Sequence, residues 1–518
     1  MRERLTRIIP LLLGLINNMK NLTSIKSIGG IDADNDELLM KCFQNHDSYN
    51  EIRDFEKFIV LGRKGTGKTA IFKKFLNNKD YSFFSFGHTF SDYPWHYHDK
   101  QAKIGVPDFD KFTHSWKYLI LMSLSKILLN QDQSLPYNDE SLDYLSKIES
   151  FIVDTYGTRD PDVTQIFTPS KKLKFKSNFT VDLALIKATM TPEGLPMEYL
   201  PTVIQEVNLN LIEYIIGSLN PDNSYHILFD QLDLGFDPKN PDYNNRVIGL
   251  LLAAKEINRI AKENNKKLSI IIFLRDDIYN SLKFEDKNKL TQSSTTVIEW
   301  DRPGSHSLKE LIERRLTENL KETPNEEIKW EQVFDENQLM TGKQSKYSYI
   351  TDRTFLRPRD AIQFCNEIIK SHNLNDEREG MITNKEINSA KNDYSKYFLD
   401  ELDDEIHKHV PKYENILEII KSIGYHQFDM DDFDNSIQKK KSLFSEEIDT
   451  YDSLKSLFEF SIIGYYKAGG SGYGGSEYIF KYKNTRAQFE ESAKTYRVHP
   501  GLIDFLGLKR STKPKEIN

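Results

Sequence analysis

The sequence predicts an α/β protein with a mostly parallel sheet, followed by a helical region and a C-terminal module of mixed structure. Short continuous apolar runs recur at Lys57–Leu61, Tyr225–Phe229 and Leu268–Leu274, as in strands covered on both faces. Helical patterns separate them, which is the order of βαβ units. A glycine-rich turn stands between the first run and its helix. The 518 residues, at roughly 150 per domain, give about three domains. Charged residues at 29% and aromatics at 12% exclude wholesale disorder and collagen-like architecture. Lys plus Arg number 70 against 78 for Asp plus Glu, a net charge of −8, which excludes a globally basic coat for nucleic acid but not a local basic face. The two cysteines, Cys42 and Cys365, form no metal-ligand spacing and no disulfide framework, and suit a reducing cytoplasm.

Along the chain, Met1–Arg7 is basic and Ile8–Ile16 apolar, but nine residues interrupted by Pro10 and Gly14 are too short to span a membrane. Residues 1–30 therefore read as a leader: a short docking segment, or residues upstream of a start at Met19. Asp34–Phe43 reads as a short amphipathic helix with acids in its first turn. The α/β domain is expected over 31–307, with strands at Lys57–Leu61, Tyr81–Phe86, Tyr225–Phe229, Leu268–Leu274 and Thr295–Trp300. Ser115–Leu129 and Arg246–Asn264 are its helices. An insertion at about 131–200 breaks the rhythm. Within it Leu173, Phe175, Phe179, Val181, Leu183 and Leu185 alternate with Lys172, Lys174 and Lys176, predicting an inserted strand or hairpin. Its lysines suit a solvated edge, or a contact with nucleic acid or a partner. A helical lid follows at 308–410, with helices at Leu308–Leu320, Pro358–Ser371 and Asp400–His409. Residues 411–518 suit a winged-helix-like module, with strands around the turn Gly469–Gly475.

The strongest chemical signal is Gly62-Arg63-Lys64-Gly65-Thr66-Gly67-Lys68-Thr69, a complete GxxxxGK[ST] between a predicted strand and a predicted helix. Its glycines let the backbone turn tightly and aim successive N–H groups at phosphate oxygens. The following helix adds its positive end. Lys68 is placed to reach β- and γ-phosphates, and the Thr69 hydroxyl to ligate Mg²⁺. Gly62 through Ala70 are thus expected to be the segment that binds a nucleotide with Mg²⁺, and the motif itself does not choose the base. A second motif, YHILFDQLD, ends a strand in Asp230, the position for a carboxylate that holds the metal. The next residue is Gln231 rather than Glu, so either Asp233 polarises the attacking water or hydrolysis is slow. Arg275 ends the run SIIIFLRDD, where a cation can reach the γ-phosphate or simply pair with Asp276 and Asp277. Arg357 and Arg359 open a lid helix, against the helix dipole. They suit an anionic partner, either the nucleotide in cis or across a subunit boundary, or capping salt bridges to Asp352 or Asp360.

GRKGTGKTA, FDQLD, FLRDDIY, the Trp300–Arg315 stretch and FLRPRDAI together resemble the AAA+/STAND class of P-loop ATPases, and within it a bacterial group near origin-recognition-like and defence-associated members. The resemblance spans roughly residues 30–510. It implies that Lys68, Thr69 and Asp230 contact nucleotide and metal, that Arg275 is a sensor and that Arg357 is a lid arginine. It also implies assembly into a homo-oligomer or with an effector subunit, and a role in defence against phage or foreign DNA. Two expectations from other classes compete: a DNA-binding loader that uses its winged helix, and a nucleotide-gated scaffold with little turnover. His96-Tyr97-His98-Asp99 and the pair His407 and His409 lack metal-ligand spacing, and Lys439-Lys440-Lys441 reads as a solvated run.

Overall fold

The computed structural model describes residues 22–90, 110–167, 200–234, 236, 240–301, 306–375, 380–410, 413–443, 448–469 and 475–512. Residues 1–21 of the leader, the strand expected at 172–185, the tip of the Gly469–Gly475 turn and His96–Asp99 lie outside the described residues. The chain divides into two compact units: residues 45–63 with 68–298, and residues 1–44 with 64–67 and 299–518.

The first unit is an α/β layer. Its strands are β1 (Ile59–Leu61), β2 (Phe83–Thr89), β3 (Ser224–Asp230), β4 (Leu268–Leu274) and β5 (Thr295–Val297). They pair in the order β2-β3-β4-β1-β5, and every pairing is parallel. Val60 stands beside Phe273, and Ile227 beside Ile270. β4 is buried along its whole length, which explains an apolar run without alternation. The helices are α1 (Asp47–Arg53), α2 (Lys68–Leu76), α3 (Asp110–Asn130), α4 (Asp139–Tyr156), α5 (Val163–Phe167), α6 (Leu200–Ser218), α7 (Pro241–Glu263), α8 (Asp276–Ser281) and α9 (Lys287–Ser294). α3 and α7 build one core with the sheet, through Trp116, Leu121, Leu250 and Ile257. α2 covers the other face with Phe72 and Phe75. α4 and α5 occupy part of the stretch expected as an insertion. Asn138 and Ser141 form a capping box for α4, and Gly157 closes it at φ 76°.

In the second unit α10 (Leu308–Leu320), α11 (Lys346–Thr351), α12 (Pro358–Leu374) and α13 (Asn384–Ile406) precede α14 (Tyr413–Ile423), α15 (Met430–Lys439) and α16 (Thr450–Glu459). Strands β6 (Tyr425–Asp429), β7 (Ile463–Lys467), β8 (Glu477–Ile479), β9 (Thr495–Val498) and β10 (Lys509–Thr512) form a second sheet in the order β10-β6-β9-β7-β8. β7 and β8 form an antiparallel pair that follows the helices.

The helix expected at Asp34–Phe43 is not formed; residues 31–41 run through turns and bends. The Asp36 carboxylate explains this. Its Oδ1 accepts from the amides of Gly30 (3.1 Å) and Leu38 (3.2 Å), and Oδ2 lies 2.6 Å from the buried Arg315 guanidinium. Side-chain bonds to local backbone offer the chain an alternative to helix. Among the described residues, no helix is long and apolar enough to cross a membrane.

Candidate nucleotide site

The Gly62–Thr69 loop joins β1 to α2. The Gly62 amide donates to the Leu274 carbonyl (3.3 Å), so the loop starts from the carboxyl end of β4 as well as β1. Gly65 and Gly67 have φ of 82° and 108°, backbone that side chains with a Cβ resist. A Cβ on Gly67 would meet no atom within 4 Å, whereas one on Gly65 would sit 2.9 Å from the Arg359 Cβ.

Lys68 is half-buried and curls back, its Nζ donating to the carbonyls of Gly62 (2.7 Å) and Arg63 (2.9 Å). Burial lowers its affinity for the proton, opposed by Asp233 and then Asp230. Asp230 ends β3 only 2% exposed. Burial pushes its carboxyl up to about 6, against a hydrogen bond from the Thr69 side chain and the influence of Lys68. Oδ2 of Asp230 has no hydrogen-bond partner among the described residues. Gln231 turns the chain at φ 62° directly after it. Asp233, one-third exposed, lies 3.7 Å from Arg275 NH1. Arg275 is held by Asp277 in a two-pronged pair, Nε–Oδ1 3.0 Å and NH2–Oδ2 2.6 Å. Arg63 Nε stands 3.7 Å from Asp276. Thus Lys68, Thr69, Asp230, Asp233 and Arg275 share one electrostatic neighbourhood.

In the second unit, Arg357 and Arg359 lie at the first turn of α12, against residues 64–67. Arg357 NH1 donates to the Lys64 carbonyl (2.6 Å) and to Glu405, and its Nε is 3.8 Å from Asp360. Burial would discharge this guanidinium, but Glu405 and Asp360 outweigh it and raise its hold on the proton. Arg359 donates from Nε to the Ile31 carbonyl (3.1 Å) and from NH1 to Glu401 (3.0 Å). Lys64 Nζ pairs with Asp404 (2.5 Å) and Glu401 (3.3 Å). The anionic partners of the two arginines in this structure are therefore acids of α13 together with Asp360. Sequence reasoning did not single out Glu401 or Glu405. The acid-rich stretch Asp400–Glu405 four dozen residues after two arginines was the available signal, but pairing across a helical hairpin is a tertiary fact.

Residues 306–403 match the family described as the FunZ-associated C-terminal helical domain. The "Putative transposon gamma-delta 80.3 kDa protein" of Escherichia coli (strain K12) is 25% identical over 430 residues, covering 78% of this chain and 55% of that protein. The chain spans about half the length of this curated relative. Among solved structures, the Orc1 protein of Aeropyrum pernix in complex with DNA is 12% identical, at a TM-score of 0.34 over 89% of this chain and 91% of that one. Cdc6p of Pyrobaculum aerophilum is 11% identical, at a TM-score of 0.30 over 91% and 92%.

Proposed function

We propose that this chain binds ATP on the Gly62–Ala70 loop and hydrolyses it with Mg²⁺, coupling nucleotide state to self-assembly or to engagement of a partner. The observation that carries the reading is Asp230. A carboxylate this buried, bonded to the hydroxyl-bearing residue after the loop lysine and left with an oxygen lacking a partner, is costly without a ligand. The oxygen donors Thr69 and Asp230 fit Mg²⁺, which when bound would neutralise charge on the β- and γ-phosphate oxygens.

The chain's own residues account for the rest. Phosphate offers Lys68 an anion to replace the two carbonyls that it caps, restoring the charge that burial disfavours. The N-terminus of α2 adds its dipole. Asp233 is the acceptor for the proton of an attacking water, and Arg275, aligned by Asp277, offsets charge that develops at the γ-phosphate. Without Asp233 in that role, Gln231 offers no carboxylate to replace it, and turnover would be slow unless a partner stimulates it.

Phosphate release from ATP with Mg²⁺, measured for wild type, Lys68→Ala and Asp230→Ala, tests this. Mass photometry on the same samples reports assembly. Both substitutions are expected to abolish turnover. Wild type that neither binds nor hydrolyses nucleotide would end the reading.

A second reading, engagement of DNA by residues 413–512, draws on the antiparallel β7–β8 pair after its helices and on Arg497 lying 3.8 Å over the Tyr478 ring. Binding to duplex that weakens steeply with salt supports it; binding indifferent to salt argues against it.

A further inference from the structure

The outer side of the phosphate loop is tied at three consecutive carbonyls. Lys64 O accepts from Arg357 NH1 at 2.6 Å, Gly65 O from the Arg359 amide at 3.4 Å, and Thr66 O from Trp300 Nε1 at 3.0 Å. Each donor is itself constrained. Arg357 is 4% exposed and held from behind by Glu405, whose side chain is 1% exposed. The Arg359 amide is one of the first-turn N–H groups of α12 that have no acceptor within the helix. Trp300 is buried, and its indole can only donate.

A peptide unit is planar, and when trans its C=O and the following N–H point in opposite directions. The only cis bond among the described residues is Leu135–Pro136. Holding the carbonyls of Lys64, Gly65 and Thr66 toward these donors therefore aims the amides of Gly65, Thr66 and Gly67 to the other side as one set. Successive amides turned to one side form an anion-binding concavity. A loop rich in glycine would otherwise sample many peptide orientations, and aligning them on binding would cost affinity.

We infer that Trp300, Arg357 and Glu405 are positioning residues that preset the loop amides for phosphate, with Arg357 acting on the loop backbone and Glu405 acting through Arg357. This rests on the ATP-binding reading above and deepens it.

Calorimetry with Mg·ADP and with pyrophosphate tests the inference on Trp300→Phe, which keeps the ring and removes the donor, and on Arg357→Lys and Glu405→Gln. The unliganded melting temperature of each variant checks that it folds. We expect Kd for both ligands to rise about five- to tenfold in Trp300→Phe and in Glu405→Gln, the usual scale for a lost hydrogen bond. ADP and pyrophosphate should shift by the same factor, because the effect is on phosphate alone. A purely structural role predicts a lower melting temperature with unchanged Kd. Folded variants of Trp300 and Arg357 that bind like wild type would overturn the inference and leave ATP binding intact. Wild type that binds neither ligand would overturn the underlying reading, and this inference with it.

Discussion

His226 shows how much a single side chain can reveal about the sheet. It is fully buried on β3, packed face to face with Phe55 and Phe83 and edge-on to Phe75, and neither ring nitrogen has a hydrogen-bond partner among the described residues. Burial pushes its pKa down to about 3. The imidazole is neutral in the folded state across the physiological range. In the unfolded chain it takes up a proton below about 6.5. The unfolded state then binds more protons, so stability is complete above that value and falls as the pH drops toward 3. At pH 5.5 the loss is about 1.4 kcal/mol relative to pH 7.5. Urea unfolding at both pH values should show that His226→Phe removes this part of the difference, while wild type keeps it. The chemistry at this scale was partly legible in advance. GRKGTGKT could be singled out because the residue types that phosphate binding demands stand there in that order. His226 was not legible, because YHILFD reads equally well with a surface histidine; only the packing of α2 and Phe55 buries it.

At the scale of elements, parallel strands were readable because burial on both faces writes a continuous apolar run. The helix expected at 34–43 failed for a tertiary reason. Residues 34–43 have helical periodicity, yet Asp36 organises turns around Arg315, a partner far along the chain. Such buried pairs are expensive to break from one side: Arg315→Ala should lower stability by about 3–5 kcal/mol, since Asp36 is left buried without its partner. Chemical denaturation midpoints measure this. Removing residues 22–44 should destabilise the second unit in the same way. The loop itself gives a third expectation. Gly65→Ala places a side chain at φ 82° and within 2.9 Å of the Arg359 Cβ. The backbone alone costs about 1–2 kcal/mol, and α12 must shift. Weaker ADP binding with a lower melting temperature is the expected result, and an unchanged affinity would mean that the loop tolerates displacement.

For the whole molecule, nucleotide should act as a stabiliser. A ligand that binds only the folded chain adds about 2.7 kcal/mol at a concentration one hundred times its Kd. A thermal-shift titration with Mg·ATP should therefore raise the melting temperature of wild type and leave Lys68→Ala unmoved. If the two units unfold separately, the scan resolves two transitions. Only the contribution of nucleotide to each, not a single free energy of unfolding, is then defined. The division into units was not legible in the sequence, since neither is a continuous stretch: one takes up residues 1–44 and 64–67 along with everything after Ile298.

That bookkeeping of residues has a consequence for biosynthesis. The crest of the phosphate loop, four residues near the start of the chain, obtains its backbone partners from Trp300 and from the start of α12, and Arg357 obtains its counter-charge from Glu405. Chains emerge from the ribosome N-terminus first, and compact regions form as their residues become available. A nascent polypeptide halted before Trp300 would carry the entire GxxxxGKT signature and the strand that bears Asp230, yet lack every donor to the carbonyls of Lys64, Gly65 and Thr66. If the loop holds nucleotide as proposed, that competence is acquired late in translation, hundreds of residues after the signature itself has been made.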